Sequence, residues 1–171
     1  MMEFLPITSP EDYRIQEIFR SYSVTFPKDE RREWDQLTAL FKNPNAKIIS
    51  VLHDSKNIGY LIIWELSCFV FVEHFEVFSQ FRNQRLGSHI TEYLFKNYPK
   101  IILETEPQHL NENAQRRFSF YQKNGFYLID EMYIQPSYGE GKKPLDLWLL
   151  SNYHPENIDE VKDEIYDVVY H

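Results

Sequence analysis

Apolar and polar positions alternate along this chain in two rhythms, one of period two and one near 3.6, and their succession outlines the fold. Ser9-Pro10-Glu11-Asp12 reads as a helix start, with Ser9 as N-cap and Asp12 at the third position of a capping box. Ile15, Ile18 and Phe19 then form one buried stripe. After a loop at Val24-Thr25-Phe26-Pro27, the spacing of Trp34, Leu37, Leu40 and Phe41 predicts a second helix over Asp29 to Phe41. Ala46 to Leu52 and Ile58 to Leu66 are strand-like and flank Asp54-Ser55-Lys56-Asn57, which predicts an antiparallel hairpin. A third apolar run, Phe69 to Phe78, leads through a turn into an amphipathic helix over Leu86 to Asn97. That helix carries Leu86, Ile90 and Leu94 inward and is ended by Pro99.

Lys100 to Thr105 is the next strand, closed by Pro107, and a helix from Glu112 to Asn124 follows. Gly125 fits the position just past its end, where a left-handed residue is wanted. Tyr127 to Ile134 and Leu145 to Leu150 are the last strands, separated by Pro136, Gly139, Gly141 and Pro144. The order is two helices, two strands, a strand-helix-strand unit, a helix and two strands. A parallel crossover within an antiparallel arrangement makes this an α+β domain with a mixed central sheet flanked by helices. The 171 residues form a single domain on this reading. At 156–170 the tail carries Ile158, Val161, Ile165 and Val168 at helical spacing. Its other face holds six acids against one lysine, a net −5. Such a helix packs on the domain, or binds a partner or a second copy; both uses stay open.

Composition narrows the classes. Hydrophobic residues at 43% and charged residues at 26% belong to a globular chain rather than a disordered one. No apolar run approaches the ~20 residues that span a bilayer. Met-Met-Glu-Phe-Leu-Pro lacks the basic start and apolar middle of a secretory signal, and Cys68 stands alone, so the cytoplasm is the expected location. A net charge of −8 makes nucleic acid a poor partner and suits a cationic one.

The chemistry concentrates in two stretches. Val77-Phe78-Ser79-Gln80-Phe81-Arg82-Asn83-Gln84-Arg85-Leu86-Gly87-Ser88 runs from an apolar strand through a basic, amide-rich turn into a helix. That arrangement aims backbone N–H groups and a helix N-terminus at one point, a site for a phosphate. The second stretch is Arg116-Arg117-Phe118-Ser119-Phe120-Tyr121-Gln122-Lys123-Asn124-Gly125-Phe126. Together they resemble the GNAT superfamily of acetyl-CoA-dependent N-acetyltransferases. The resemblance makes Arg82 to Ser88 the pyrophosphate loop, commonly Arg/Gln-x-x-Gly-x-Gly/Ala. Arg82 falls on its first position and Gly87 on its last, while Arg85 replaces the middle glycine. It implies acetyl-CoA as co-substrate, held by Arg82, Asn83, Gln84, Arg85, Gly87 and Ser88. The pantetheine arm would lie on backbone groups around Val77 and Phe78, with Asn113 and Arg117 as further contacts. Asn111 and Ala114 match the start of the family's helix signature, but Tyr121 lies seven residues after Ala114 where the common form has four. The chain is closer to a variant with Arg-Arg-x-x-Phe-Tyr-x-x-x-Gly-Phe and a later Tyr-x-Gln-Pro, here Tyr133-Ile134-Gln135-Pro136. Whether Asn111 or Asn113 meets the cofactor is left open.

The same resemblance makes Tyr121 the general acid. A phenol ionises near pH ~10 and a thiol near ~8.5, so protonating a departing thiolate involves little energetic mismatch. Arg117 lies one turn earlier on the same helix face. A carboxylate must take the amine's proton, and carboxylates in apolar strands are costly unless partnered or functional. Glu76 and Glu104 are the first candidates, Glu73 the third, with Glu106 on the Glu104 face. Ordinary buried ion pairs are the rival explanation. His74 and His109 are read mainly as structural, and Glu30 or Arg31 either faces the acceptor or sits on a charged surface turn. The favoured acceptor is a small primary amine, then a peptide or protein N-terminus. A non-catalytic acyl-CoA-binding module and an oligomerising module are the competing functions.

Overall fold

The computed structural model describes residues 1–171. Its centre is a seven-stranded mixed sheet of order β1-β2-β3-β4-β5-β9-β6. The strands are β1 (Met2–Ile7), β2 (Ala46–His53), β3 (Lys56–Glu65), β4 (Val70–Val77), β5 (Ile101–Thr105), β6 (Tyr127–Asp130) and β9 (Trp148–Ser151). A separate two-stranded ribbon joins β7 (Ile134–Gln135) to β8 (Leu145–Asp146). Helices α1 (Tyr13–Thr25), α2 (Trp34–Ala39) and α5 (Ile158–Val169) cover one face, and α3 (Leu86–Asn97) and α4 (Glu112–Lys123) the other. Period-two alternation in β3 divides the interior accordingly. Tyr60, Ile62 and Trp64 pack under α1, α2 and α5, while Leu61 and Ile63 pack under α3 and α4. The α+β expectation with a mixed sheet holds.

Several boundaries differ from expectation, each for a local reason. β1 was not anticipated, because it is an edge strand with Pro6 in it and only Ile7 buried. Helix α1 begins after Asp12, not Ser9: the Asp12 carboxylate accepts from the Arg14 N–H at 3.0 Å, while Ser9 engages Glu11 in the preceding turn. The expected helix over 29–41 is broken. A 3₁₀ turn at Lys28–Glu30 precedes extended Arg31, and α2 starts only at Trp34. The chain straightens there because Arg32 turns inward, its Nε 2.8 Å from a Glu73 carboxylate oxygen. Asp54 and Ser55 both have positive φ, 48° and 64°, the left-handed pair that a two-residue hairpin turn needs. The strand expected over 127–134 is interrupted where the Asp130 carboxylate accepts from the Met132 N–H at 2.8 Å. Helix α5 buries Val161, Ile165 and Val169 in the same core as α1 and α2, so its apolar face is occupied from within the chain.

One feature of the sheet creates a site. β4 and β5 run parallel, yet they pair only through Val70–Val72 and Ile101–Leu103. Beyond that point β4 continues to Val77 along β3, with Glu73 as a bulged extra residue between the Ile62–His74 and Ile63–Val72 pairs. The two strands therefore diverge, and the unpaired ends of β4 and β5 open a wedge in the middle of the sheet.

Candidate active site

Two cavities meet in this wedge. The larger, about 1020 Å³, lies between α1, β4, the turn before α3, and α4. Its walls carry five arginines (Arg20, Arg82, Arg85, Arg116 and Arg117) against a single acid, Glu76. In a chain of net charge −8 this is a strong local reversal, suited to a polyanion. The turn also presents the start of α3, where no side chain caps the helix and Gly87 and Ser88 line the cavity. The first N–H groups of a helix have no partner within it, and they carry the positive end of its dipole. Open helix N–H groups, flexible guanidinium forks and a long channel into the wedge fit a nucleotide pyrophosphate with a slender arm.

The turn is shaped by unusual backbone. Asn83 and Arg85 both lie in the left-handed region, at φ 64° and 60°. Asparagine tolerates this, but an arginine there replaces the glycine that would adopt it without strain. The guanidinium is what the position gains in exchange. Arg85→Gly is expected to stabilise the fold by about 1 kcal/mol and to weaken binding of a CoA nucleotide about tenfold. Thermal denaturation beside calorimetric titration checks the two halves separately. Gly87 has a packing reason as well: a Cβ there would stand 3.0 Å from the Phe120 ring of α4.

Glu76 is tied into this cavity wall. Its carboxylate accepts from the hydroxyls of Ser21 (2.6 Å), Thr25 (2.6 Å) and Tyr60 (2.7 Å) and lies 3.4 Å from the Arg82 guanidinium. Arg82 also donates through Nε to the Val77 carbonyl at 2.9 Å. Glu76 thus joins α1 to β4 and steadies the first arginine of the turn, with its acceptor positions taken.

The smaller cavity, about 40 Å³, lies on the other side of the wedge. Phe26, Phe75, Arg117 and Tyr121 border both spaces. Its remaining walls are acidic, with Glu30, Glu104 and Glu106 beside Thr105. Burial pushes the Glu104 carboxyl up to about 8, although hydroxyls of Tyr170 and Tyr133 (the latter at 2.8 Å) donate to it and favour the anion. Burial, then the Glu106 charge, raises Glu30 to about 8. Tyr121 is 6% exposed and is held by rings rather than by polar partners, with Phe75, Phe120 and Phe126 centroids within 6.5 Å. Burial raises its phenol pKa and the Arg117 charge opposes that, so the group is protonated at neutral pH.

The sequence-derived residues distribute as follows. Val77, Arg82, Asn83, Arg85, Gly87, Ser88, Asn113 and Arg117 line the larger cavity. Gln84 is exposed and Phe78 is buried in the core, its N–H given to the Ile58 carbonyl at 2.8 Å; neither borders the cavity. Asn111 caps α4 by accepting from the Ala114 N–H, which leaves Asn113 as the asparagine facing the cavity. Glu73 belongs to a structural cluster: it accepts from Arg32, Trp64 (2.6 Å) and Tyr138 (2.8 Å). His74 gives Nε2 to the Glu30 carbonyl at 2.8 Å, and burial lowers its pKa, so it is neutral. His109 is exposed beside Trp148. Arg20 and Tyr170 were not foreseen: no local spacing marks Arg20, and Tyr170 meets Glu104 across 66 residues. Arg116 stood in the motif and could have been assigned from it.

The GNAT acetyltransferase family model matches residues 13–126, and the chain belongs to that family. Among curated proteins it is similar to "Putative acetyltransferase YjbC" of Bacillus subtilis (strain 168), 26% identical over 110 residues. That match spans 63% of this chain and 55% of the relative, so the chain accounts for about half of that protein's length. A solved structure, "Putative acetyltransferase from GNAT family from Bacteroides thetaiotaomicron", superposes with a TM-score of 0.90 at 28% identity and 98% coverage of each chain. A GNAT acetyltransferase from Elizabethkingia anophelis with acetyl-CoA bound shares the fold, at a TM-score of 0.59, 16% identity and coverage of 88% and 96%.

Proposed function

We propose that this chain transfers the acetyl group of acetyl-CoA to a primary amine on a small molecule. One observation carries the reading: a basic cavity and an acidic one meet at Phe75 and Tyr121 inside the β4–β5 wedge. The arginine-lined side suits the nucleotide and pyrophosphate, and the fold holds acetyl-CoA in the Elizabethkingia structure. When bound, acetyl-CoA supplies an activated carbonyl and a thiolate leaving group.

The chain's residues supply the rest. Arg82, Arg85 and the start of α3 bind phosphate oxygens, with Glu76 steadying Arg82. Tyr121, protonated and poised at the junction, gives its proton to the departing sulfur. Glu104, in the acidic cavity, takes the proton that the amine must lose; Glu76 serves less well because Ser21, Thr25, Tyr60 and Arg82 already hold its carboxylate. Phe26 and Phe75 exclude water between the two spaces. The occupied apolar face of α5 supports a packing role for the tail over a dimerising one. No helix is long and apolar enough to cross a membrane, and a cytoplasmic location is part of the same proposal.

The pH profile tests the base. Because Glu104 is raised to about 8, activity should climb with pH up to that region. Glu104→Gln should lower kcat at least ~100-fold and abolish that limb while acetyl-CoA still binds. Tyr170→Phe removes a donor that favours the carboxylate, so it should move the limb to higher pH. A profile unchanged in Glu104→Gln would assign the base elsewhere.

A further inference from the structure

We propose that the small chamber is an ammonium site, in which Glu30 and Glu106 receive the charged head of an unbranched primary amine and reject amines that carry a carboxylate nearby. The inference rests on the acetyltransferase reading and specifies its acceptor.

Space is the first argument. The chamber, about 40 Å³, has room for a CH₂–NH₃⁺ end and favours it over a bulkier, branched one. Charge is the second. Glu30 comes from the turn after α1, Glu104 and Glu106 from the end of β5, and only Arg117 of α4 brings a fixed positive charge. Arg117 Nη1 is 3.9 Å from Glu106 Oε2, beyond hydrogen-bond range, so that carboxylate is not saturated. His74 of β4, in the same wall, is neutral. The third argument is a hydroxyl without a partner. Thr105, 4% exposed and part of the chamber wall, has an Oγ1 with no hydrogen bond inside the protein. A buried polar atom of this kind is costly unless a ligand satisfies it, and an ammonium brings three donors.

Burial, then the charges of neighbouring Glu106 and Asp29, raise the Glu30 carboxyl to about 8, so it is largely protonated near neutral pH in the empty chamber. An entering ammonium offsets that repulsion and favours the Glu30 carboxylate, and the Glu30 proton leaves to solvent. The amine then lies between the Glu30 and Glu106 pair and Glu104, whose carboxylate takes one ammonium proton before attack; the second, lost from nitrogen after attack, replaces the proton that Tyr121 gives to sulfur. An acceptor with its own carboxylate close to the amine would bring a further negative charge to an acidic wall.

The test uses 1,3-diaminopropane and β-alanine, which share an aminoalkyl end and differ in a second amine against a carboxylate. Thiol release from acetyl-CoA is followed for the wild type, Glu30→Gln and Glu106→Gln. The proposal expects kcat/KM for the diamine at least tenfold above that for β-alanine. It expects each variant to raise the diamine KM about tenfold and erase the preference, with the KM for acetyl-CoA unchanged. Calorimetry of the diamine on the CoA-loaded protein, in two buffers of different ionisation enthalpy, should show proton release near pH 7 that Glu30→Gln lowers. Equal use of both probes, unaltered KM in both variants, or acetyl-CoA binding without transfer to the diamine would overturn the ammonium site. Failure to bind acetyl-CoA at all would instead overturn the acetyltransferase reading beneath it.

Discussion

Replacing Tyr121 with phenylalanine should lower kcat by about 10²–10⁴-fold while leaving acetyl-CoA affinity within twofold of the wild type. The split follows from what the side chain does. Its ring is packed by Phe75, Phe120 and Phe126, and phenylalanine keeps those contacts. Only the hydroxyl goes, and Tyr121 borders both the basic and the acidic cavity. Burial keeps it protonated, which a proton donor requires. A thiol-release assay with a saturating amine, set beside calorimetry with acetyl-CoA, separates catalysis from binding. Loss of affinity with unchanged kcat would reassign Tyr121 to the cofactor wall. Unchanged values for both would favour a binding module of this fold that does not catalyse.

Arg32→Ala should destabilise the fold by about 3–5 kcal/mol. Arg32 donates to the Glu73 carboxylate at 2.8 Å and to the Val169 carbonyl at 2.9 Å, and its guanidinium stacks over Trp64 and Tyr138. Removing it leaves an ionised carboxylate in the core and frees the end of α5. Burial alone would raise the Glu73 pKa; the Arg32 charge and the hydrogen bonds from Trp64 and Arg32 outweigh it and hold the group below its usual value. Stability from Glu73 is therefore present above the ordinary carboxylate pKa of ~4.3 and disappears as pH falls through its folded value. In Arg32→Ala that carboxyl is raised instead, so the deficit should be largest at neutral pH and shrink in acid. Thermal unfolding at pH 7 and pH 4.5 measures this, with a fall of about 10 °C or more in Tm expected at pH 7. A paired apolar replacement of Arg32 and Glu73 should recover much of the loss.

The difference between these two residues shows what the sequence made legible. The strand, basic turn and helix at 70–97 announce themselves within one window, because a phosphate-binding turn needs local backbone freedom and local donors. Tyr121 was reachable because its helix, its arginine neighbours and Gly125-Phe126 are contiguous. Arg32 was not: the period of Trp34, Leu37 and Leu40 favours a helix over 29–41, and it is broken by a carboxylate 41 residues away. The same holds for Tyr170 on Glu104, and for Glu30 beside Glu106, pairs that exist only once β4 and β5 diverge. Local rules also misjudged two candidates on the binding strand and turn. Phe78 was expected to offer backbone groups, but its N–H is given to the Ile58 carbonyl and its ring turns into the core, and Gln84 is exposed.

On the proposed function, the arginine-lined cavity and the start of α3 hold acetyl-CoA. Calorimetric titration of acetyl-CoA into the wild type and into the double variant Arg82→Ala with Gly87→Glu tests it most directly, with circular dichroism confirming that both are folded. The structure predicts micromolar, one-to-one binding for the wild type. It predicts none for the variant, in which a carboxylate occupies the helix N-terminus and a phosphate ligand is gone. Absence of binding to the wild type, or equal binding by a folded variant, would contradict it.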